Sequence, residues 1–274
     1  MNILDKIVAR KKEEVSRRKE LYPLKLLEKS IFYQTPPVSL RKYLLRPDKS
    51  GVIAEFKRRS PSRGDINPYA GVERVSIGYM QSGASALSVL TDTHFFGGKN
   101  QDLTTARKFN FCPILRKDFI IDEYQVHEAR SIGADVILLI AACLEKKALH
   151  KLAKVARELD LEVLMEIHER SELDKYCEEV DIIGVNNRNL KDFSVNIDAS
   201  KALLPLIPED VVPITESGIS DPATVVDLKN AGFRGFLIGE HFMSSPDPAK
   251  TCREFIQKIQ LLEGQAEETT IQNQ

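Results

Sequence analysis

From Val52 onward, the chain alternates between short runs rich in Val, Ile, Leu and Ala and longer amphipathic segments. Apolar runs that lack an in/out alternation are typical of parallel strands covered by helices. The runs are Val52–Lys57, Ala84–Leu90, Cys112–Lys117, Asp135–Ile140, Glu162–Ile167, Ile182–Asn186, Val211–Glu216 and Gly235–Gly239. Eight strand–helix units in about 190 residues favour an α/β protein with a single closed (β/α)8 TIM barrel. The alternative, an open doubly wound sheet, would carry a GxGxxG turn after a strand, and the sequence has none.

Helix-like segments separate these runs, and several of their ends carry boundary signals. Asp122 and Asp221 are predicted N-caps, and Pro222 fits a first helical position. Gly133 and Gly232 follow helices at positions where a left-handed C-cap is expected. The predicted helices include Tyr69–Ser82, Asp122–Ile132, Glu145–Leu159, Glu169–Glu178 and Pro222–Ala231.

The N-terminal part of the chain has a different pattern. Ile3, Leu4 and Ile7 belong to one apolar stripe at helical spacing. The charged run RKKEE at 10–14 follows it, and we interpret that run as a solvated helix face. These features predict a helical extension and not an independent domain.

The chain is thereby divided into three parts. Residues 1–50 are the helical N-terminal extension packed on the barrel, and residues 51–262 form the barrel. The segment 263–274 has almost no apolar content and is expected to be a disordered polar tail.

The overall composition is that of an ordinary globular protein, with 42% hydrophobic and 29% charged residues. The 39 basic and 40 acidic residues give a net charge of −1, so no general basic field for nucleic acid or a membrane surface is expected. The longest apolar runs are too short to span a bilayer. The 4 cysteines and 5 histidines show no CxxC, HxH or HxxxH spacing, and no metal site is predicted. Scattered cysteines without a signal peptide indicate a cytoplasmic protein.

Charged and amide side chains end most of the predicted strands. Residues two apart on a strand point to the same face, so Glu55 and Lys57 are predicted to project together. Lys117, Glu166 and Asn186 end later strands, and in a (β/α)8 barrel these ends meet at the rim where chemistry occurs. Such clusters shift pKa values and make acids and bases usable near pH 7. A ring of structural salt bridges is the alternative.

Glycines directly after the last two strands indicate a phosphate site. Gly218 follows Ser217 after the seventh run, and Gly239 ends the eighth. Backbone N–H groups at such positions can approach an anion, and phosphate sites of these barrels are commonly built from the loops after strands 7 and 8. Ser60 in the first loop can donate a further hydrogen bond. A phosphorylated small-molecule substrate is therefore predicted.

A set of segments carries a family signature: IAEFKRRSPSRG, SVLTDTHFFGG, CPILRKDFIIDEYQV, LMEIHE, IIGVNNRNL, ITESGIS and FLIGEHFM. Together they closely resemble the indole-3-glycerol phosphate synthase family. ESGI and LIG recur in other phosphate-binding barrels, whereas EFKRRSPS together with ILRKDF is specific to this family. The resemblance extends from LDKIVARKKEEV at the N terminus to about Ile259, nearly the whole chain.

The resemblance implies a cofactor-free carboxy-lyase of tryptophan biosynthesis. The implied substrate is 1-(2-carboxyphenylamino)-1-deoxyribulose 5-phosphate, and the products are indole-3-glycerol phosphate, CO₂ and water. The aromatic carbon that bears the carboxylate attacks the ribulose carbonyl, whose oxygen gains negative charge as the bond forms. A positioned ammonium group can protonate that oxygen.

The resemblance also implies roles for the charged residues at the rim. Lys117 matches the general acid, and Glu55 is expected to offset the effect of burial on the pKa of that lysine. Lys57 matches the lysine that holds the substrate carboxylate. Glu166 is expected to do acid/base work in the dehydration, with Lys57 as the alternative proton donor, while Asn186 orients hydroxyl groups.

The remaining site residues are implied to bind the substrate. Phe96, Phe119 and Leu138 correspond to an apolar wall for the anthranilate ring, although core packing is an equal alternative for the last two. Glu240 stands where some members have Ser, so the phosphate is expected at its backbone N–H. The other substrate-binding residues are Ser60, Gly218 and Gly239 for the phosphate, with Arg188 and Ser217 at the rim, where Glu216 is expected as a further catalytic residue.

Two other functions fit the sequence less well. An Amadori isomerase such as phosphoribosylanthranilate isomerase needs a Cys or Asp acid/base pair at strand ends, and Cys112 opens its strand instead of closing it. A non-catalytic phosphate-binding protein would lack at least one of the central charges, and all are present. No long apolar stripe marks an interface, so a monomer or weak homodimer is expected.

Overall fold

Eight parallel strands hydrogen-bond side by side in a closed ring, and the predicted (β/α)8 barrel is confirmed. In this computed structural model, which describes residues 3–189 and 193–272, the strands follow one another around the ring in sequence order. One residue of the motifs quoted above, Leu190, lies outside the described residues. The strands are β1 (Val52–Phe56), β2 (Ala86–Leu90), β3 (Ile114–Lys117), β4 (Val136–Ile140), β5 (Glu162–Ile167), β6 (Ile182–Asn186), β7 (Val212–Glu216) and β8 (Gly235–Ile238).

The helices lie before the barrel and on its outside. They are α1 (Ile3–Leu21), α2 (Leu24–Leu27), α3 (Leu40–Leu44), α4 (Val72–Gln81), α5 (Asn100–Phe109), α6 (Glu123–Ile132), α7 (Lys146–Glu158), α8 (Asp198–Leu203), α9 (Pro222–Ala231), α10 (Glu240–Met243) and α11 (Pro248–Gln272). Short 3₁₀ helices cover Ala141–Cys143, Arg170–Lys175 and Leu204–Leu206. A small hairpin that pairs Arg59–Ser60 with Gly64–Asp65 follows β1.

The boundary signals read from the sequence act as predicted. The Asp122 side chain accepts a hydrogen bond from the Tyr124 backbone nitrogen at 2.9 Å, and Asp221 caps α9 in the same way. Gly133 ends α6 with φ 93, a conformation that favours glycine. A Cβ atom there would also lie 2.7 Å from the Arg107 side chain, so the position has no room for one.

The helix predicted over Glu169–Glu178 is wrong in type and length. Only the 3₁₀ helix Arg170–Lys175 forms after β5. The Lys175 ammonium donates to the backbone oxygens of Ala141 and Leu144, at 2.7 Å and 2.9 Å. These bonds tie the end of the turn to the loop after β4, and Tyr176, with ψ 147, leaves the helical conformation.

Inside the barrel, four strands carry an apolar side chain first and a charged side chain further along. Ile53, Leu115, Leu164 and Ile214 belong to the apolar cluster enclosed by the ring, and they come from β1, β3, β5 and β7. Alternate residues of a strand share a face, and the interior of such a barrel is filled in layers by alternate strands. Two residues further on, the same four strands carry the group that we call the charged layer: Glu55, Lys117, Glu166 and Glu216.

The N-terminal extension contacts both ends of the barrel. At the amino ends of the strands, Leu40 and Leu44 of α3 join the inner apolar cluster. The Glu162 carboxylate at the start of β5 accepts hydrogen bonds from the Leu40 and Arg41 backbone nitrogens, at 2.7 Å and 3.0 Å. At the opposite end, Ile3 and Ile7 of α1 line the cavity above the charged layer. The extension therefore closes the barrel at the amino ends of the strands and covers the cavity at their carboxyl ends.

The interpretation of the run at 10–14 as a solvated face is wrong for Lys11. Its side chain is only 2% exposed, and its ammonium lies 2.9 Å from Asp92 Oδ2 and 2.9 Å from Asp118 Oδ1. Both carboxylates are buried and follow the ends of β2 and β3. Glu14 Oε2 lies 3.0 Å from the same ammonium, and the contacts with Asp92 and Asp118 compensate the desolvation of the buried charges and fix α1 to the rim.

The last helix continues into the segment that the sequence predicts to be disordered. α11 extends to Gln272, beyond the expected barrel end at 262. Gln, Glu and Ala are good helix formers and no proline interrupts the segment, so its composition is compatible with a helix. Residues 273–274 lie outside the described part of the chain. Among the described residues, no helix has the length and apolar character needed to cross a bilayer.

Candidate active site

A cavity of about 460 Å³ opens at the carboxyl ends of the strands. Every residue that the sequence predicts for the site lines this cavity. These residues are Glu55, Lys57, Ser60, Phe96, Lys117, Phe119, Leu138, Glu166, Asn186, Arg188, Glu216, Ser217, Gly218, Gly239 and Glu240. The positions come from different strands and loops, and closure of the ring brings them together.

Lys117 lies between two carboxylates of the charged layer. Its Nζ is 3.0 Å from Glu166 Oε2 and 3.1 Å from Glu216 Oε2. Burial lowers the pKa of Lys117, but the charges of Glu166, Glu216 and Glu55 outweigh it and hold the pKa above its usual value. The ammonium is therefore protonated at neutral pH and can act as an acid.

The two carboxylates that contact Lys117 have different proton affinities. Burial raises the pKa of Glu166, but the Lys117 and His168 charges and hydrogen bonds from Lys117 and Asn186 bring it below its usual value. For Glu216, burial dominates, the nearby Glu166 and Glu55 add to it, and the pKa rises to about 7. Its Oε1 atom has no hydrogen-bond partner among the described residues. Two carboxyl groups with separated pKa values can serve as base and acid in one site.

Glu55 and Lys57 form a direct ion pair, as their spacing predicts. Lys57 Nζ lies 2.7 Å from Glu55 Oε1. Glu55 is one of the charges that raise the pKa of Lys117, while Glu166 and Glu216 make the direct contacts and contribute more. The cause is ring closure, which places β5 and β7 side chains against the end of β3.

Gly184 and Gly239 leave the space that two of these carboxylates occupy. A Cβ atom on Gly184 would lie 2.9 Å from Glu216 Oε1, and one on Gly239 would lie 2.4 Å from Glu55 Oε1. Real Cβ contacts of this length do not persist, so any larger residue would displace a carboxylate. The neighbouring strands therefore need glycine at these positions.

Apolar side chains form the other wall of the cavity. The rings of Phe96 and Phe119 have centroids 5.9 Å apart and are inclined by 36°. Leu138 belongs to the inner apolar cluster, and Phe119 packs against that cluster, so both residues serve the core while also lining the cavity. The Asp92 carboxylate accepts a hydrogen bond from the Phe96 backbone nitrogen at 3.3 Å and thereby holds the loop that carries this ring.

The predicted phosphate residues lie together on the loops after β1, β7 and β8. Ser217 and Gly218 have φ values of 73 and 75, so consecutive residues are left-handed. A Cβ on Gly218 would lie 2.2 Å from Val195 Cγ1, which leaves no space for a side chain. Gly239 directly precedes α10, and Ser60 lines the same cavity from the hairpin after β1. Successive backbone N–H groups in such loops form anion-binding concavities.

Three residues near the site were not predicted from the sequence. His168 lies two residues after Glu166, with Nε2 3.5 Å from Glu166 Oε1 and Nδ1 3.7 Å from Glu172 Oε2. Burial lowers the pKa of His168, but Glu172 and Glu166 raise it above its usual value. The spacing that pairs Glu55 with Lys57 would have identified this histidine. For Lys11 and Arg63 there was no comparable signal, because their partners lie on distant parts of the chain.

Comparisons with known proteins agree with the family signature. Residues 4–255 match the profile of the family described as "Indole-3-glycerol phosphate synthase". A Bacteroides thetaiotaomicron protein of that name is 48% identical over 259 residues, which cover 94% of this chain and 99% of the relative. An Aliarcobacter butzleri protein of the same name is 42% identical over 248 residues, covering 89% and 94%.

A solved structure supports the fold independently. The thiamine phosphate pyrophosphorylase from Pyrococcus furiosus matches with a TM-score of 0.58 and 14% identity, over 81% of this chain and 99% of that one. At such low identity the likeness concerns the fold alone.

Proposed function

Because this chain belongs to the indole-3-glycerol phosphate synthase family, we propose that Lys117 is the general acid of its ring closure and that the charged layer supplies the remaining proton transfers. The protein is a carboxy-lyase of tryptophan biosynthesis, EC 4.1.1.48, and acts on a phosphorylated small molecule. The observation that carries the proposal is the position of the Lys117 ammonium, 3.0 Å and 3.1 Å from two carboxylates.

Lys117 protonates the ribulose carbonyl oxygen as the aromatic carbon attacks it. A buried lysine normally loses its proton easily, which would leave no acid at neutral pH. The carboxylates of Glu166 and Glu216 prevent this and also fix the direction of the ammonium. Positioned proton donation of this kind typically contributes about 10²–10⁴-fold to a rate.

Lys57 holds the carboxylate that leaves as CO₂. In the free protein its ammonium is paired with Glu55, so the substrate carboxylate would share or replace that partner. Loss of CO₂ places an electron pair on the ring system, where the aromatic nitrogen and the ring delocalise it. No external electron sink is required for this step.

Glu166 removes the proton in the final dehydration. Its pKa lies below the usual value, so the group is ionised and ready to accept a proton. Asn186 donates to Glu166 Oε1 at 3.2 Å and can orient the substrate hydroxyl that leaves as water. Glu216, with a pKa of about 7, can carry a proton in the same layer.

The phosphate is held by Ser60, Gly218, Gly239 and the backbone of Glu240, while Phe96, Phe119 and Leu138 contact the anthranilate ring. Support comes from their common location in one cavity, with the polar loops and the aromatic pair both adjacent to the charged layer. Arg188 and Ser217 complete the polar rim. Substrate orientation then places the carbonyl oxygen toward Lys117.

We also propose that the protein works in the cytoplasm as a monomer or weak homodimer. All of its cysteines, Cys112, Cys143, Cys177 and Cys252, are free thiols, which supports a reducing compartment. Size-exclusion chromatography with light scattering over a range of concentrations would report the oligomeric state. A dimer that persists at nanomolar concentration would contradict this proposal.

The catalytic proposal is tested with purified protein, the carboxyphenylamino-deoxyribulose phosphate, and neither metal nor nucleotide added. Indole fluorescence should rise with wild type, and Lys117→Ala should lower turnover by about 10²–10⁴-fold or more while the circular dichroism spectrum is unchanged. Lys12→Ala, at an exposed position of α1, is the matched control. A Lys117→Ala variant with wild-type turnover would refute the role of this lysine.

The isomerase alternative is disfavoured by the position of Cys112. This thiol is buried before the amino end of β3, at the opposite end of the strand from the cavity. Burial also raises its pKa to about 12, so it carries no thiolate at neutral pH. It cannot act as an acid/base partner at the rim.

A further inference from the structure

One carboxylate joins two arginines across the open side of the cavity. Arg63 Nε donates to Glu240 Oε1 at 2.8 Å, and Arg188 Nη2 donates to Glu240 Oε2 at 3.4 Å. Arg63 belongs to the hairpin loop after β1, Arg188 to the loop after β6, and Glu240 to the start of α10 after β8. The bridge therefore connects three separate loops, and all three residues line the cavity.

Stability alone does not account for this bridge. The Arg63 side chain is 68% exposed, and those of Glu240 and Arg188 are 26% and 23% exposed. Ion pairs that solvent screens this well contribute little to folding. The buried pairs on the same rim, such as Lys11 with Asp92, already fix the architecture there.

The bridge is also located where the phosphate is expected. The backbone of Glu240 and the hydroxyl of Ser60 belong to the proposed phosphate site, and Ser60 and Arg63 share one hairpin loop. The carboxylate of Glu240 is thus within a side-chain length of the position assigned to the phosphate. A carboxylate and a dianionic phosphate repel each other at such distances, whereas both bind guanidinium groups with the same fork geometry.

We propose that Glu240 is a specificity-determining residue whose carboxylate occupies Arg63 and Arg188 until the phosphate of the substrate displaces it. This inference rests on the proposed phosphate site. In the free protein the bridge pairs both guanidinium groups with one carboxylate and connects the segments that carry them. When substrate binds, the arginines exchange the carboxylate for the phosphate.

This exchange discriminates against small anions. Inorganic phosphate must displace Glu240 with the interactions of the phosphate group alone. The substrate can use, in addition, its contacts with the apolar wall and with Lys57. The Glu240 carboxylate competes with every anion for the two arginines. It therefore weakens the binding of a free anion more than that of the complete substrate.

The test measures binding of inorganic phosphate to the full-length protein by isothermal titration calorimetry, with no turnover involved. Glu240→Gln should bind inorganic phosphate about three- to fivefold more tightly than wild type, as expected for removal of one solvent-screened charge. Arg63→Gln should bind it more weakly. In the double variant the gain from Glu240→Gln should shrink, because one arginine that the glutamate occupies is absent. Glu254→Gln on α11, paired with Lys250 at 3.8 Å and not lining the cavity, is the control for the change in net charge.

The contrary outcomes are distinct. If Glu240→Gln weakens phosphate binding as Arg63→Gln does, the glutamate only orients the arginines and the proposal is wrong. Equal affinity of Glu240→Gln and wild type, or the absence of phosphate binding in both, also overturns it. Because this assay needs no catalysis, a failure here leaves the fluorescence test of Lys117 unaffected.

Discussion

Lys11 Nζ lies 2.9 Å from Asp118 Oδ1, and Asp118 directly follows Lys117 in the chain. The first helix is thereby bonded to the residue next to the proposed general acid. Arg116 Nη2, on the other side of Lys117, lies 3.2 Å from Asp118 Oδ2. Burial raises the pKa of Asp118, but Lys11 and Arg116 outweigh it and hold the pKa well below its usual range. The end of β3 is therefore fixed from two directions.

Replacing Lys11 should destabilise the protein and loosen the part of α1 that covers the cavity. Lys11→Met leaves Asp92 and Asp118 buried without this cation, and breaking a buried pair costs about 3–5 kcal/mol. Urea unfolding should show this loss, and KM should rise because α1 also carries Ile3 and Ile7 above the site. Lys12→Met, at an exposed neighbour, should change neither quantity. If Lys11→Met is as stable as wild type, the contacts of Lys11 with Asp92 and Asp118 do not stabilise the fold.

Glu166→Gln should separate the two halves of the reaction. If Glu166 is the base of the dehydration, the appearance of indole fluorescence slows by about 10²-fold or more, whereas ring closure and release of CO₂, for which Glu216 still contacts Lys117, slow less. Labelled CO₂ and fluorescence are measured on the same sample. Lys57→Met should instead lower CO₂ release itself, because it removes the group proposed to hold the substrate carboxylate. Continued CO₂ release in Lys57→Met, with no indole formed, would make Lys57 the donor in the dehydration.

Ser60→Ala should affect substrate binding more than turnover. In the proposed phosphate site the hydroxyl contacts a phosphate that does not react, so its interaction would be common to the ground state and the transition state. We expect KM to rise several-fold, with kcat changed less, in steady-state fluorescence assays. Ser16→Ala, at an exposed position of α1 outside the cavity lining, is the control. A fall in kcat at constant KM would remove Ser60 from the phosphate site.

The raised pKa of Glu216 should make stability depend on pH. Burial raises this pKa to about 7 in the folded protein, above the value near 4.5 of an unperturbed glutamate. The folded state therefore binds an extra proton between these values, and stability is lost as the pH rises from about 4.5 through 7. Glu216→Gln cannot ionise, so its free energy of unfolding relative to wild type should increase from pH 5 to pH 8.

Denaturant unfolding at pH 5, 6, 7 and 8 measures this difference for the wild-type and variant proteins. Glu20→Gln, at an exposed position of α1, is the control and should show no trend with pH. A Glu216→Gln variant whose relative stability is flat across this range would contradict the raised pKa.

The sequence predicts those site residues whose placement follows from strand geometry alone. Glu55 and Lys57 share a face because they are two apart, and Lys117, Glu166 and Glu216 end runs that a barrel must bring to one rim. The same rule would have identified His168. The pairing within the charged layer could not be predicted. Lys117 contacts Glu166 and Glu216 more directly than Glu55, and this depends on how the ring closes.

Other features depend on contacts between distant segments. Lys11 lies in a run of charges that looks like any solvated helix face, and only the approach of α1 to Asp92 and Asp118 shows that it is buried. The shortness of Arg170–Lys175 likewise results from bonds of Lys175 to another loop. The helix propensity of the local sequence predicts neither the burial of Lys11 nor the shortness of this helix.

The charged layer stands on strands of the closed barrel, whereas Ser60, Arg63, Gly218 and Glu240 lie in the segments that follow those strands. A strand in a closed ring is held by hydrogen bonds on both sides, so its side chains keep their positions when a neighbouring loop changes length or composition. With the roles proposed above, proton transfer and the choice of substrate are therefore properties that can be adjusted separately. A redesign for a different phosphorylated ligand can replace the loops and leave the four strand-borne charges in register.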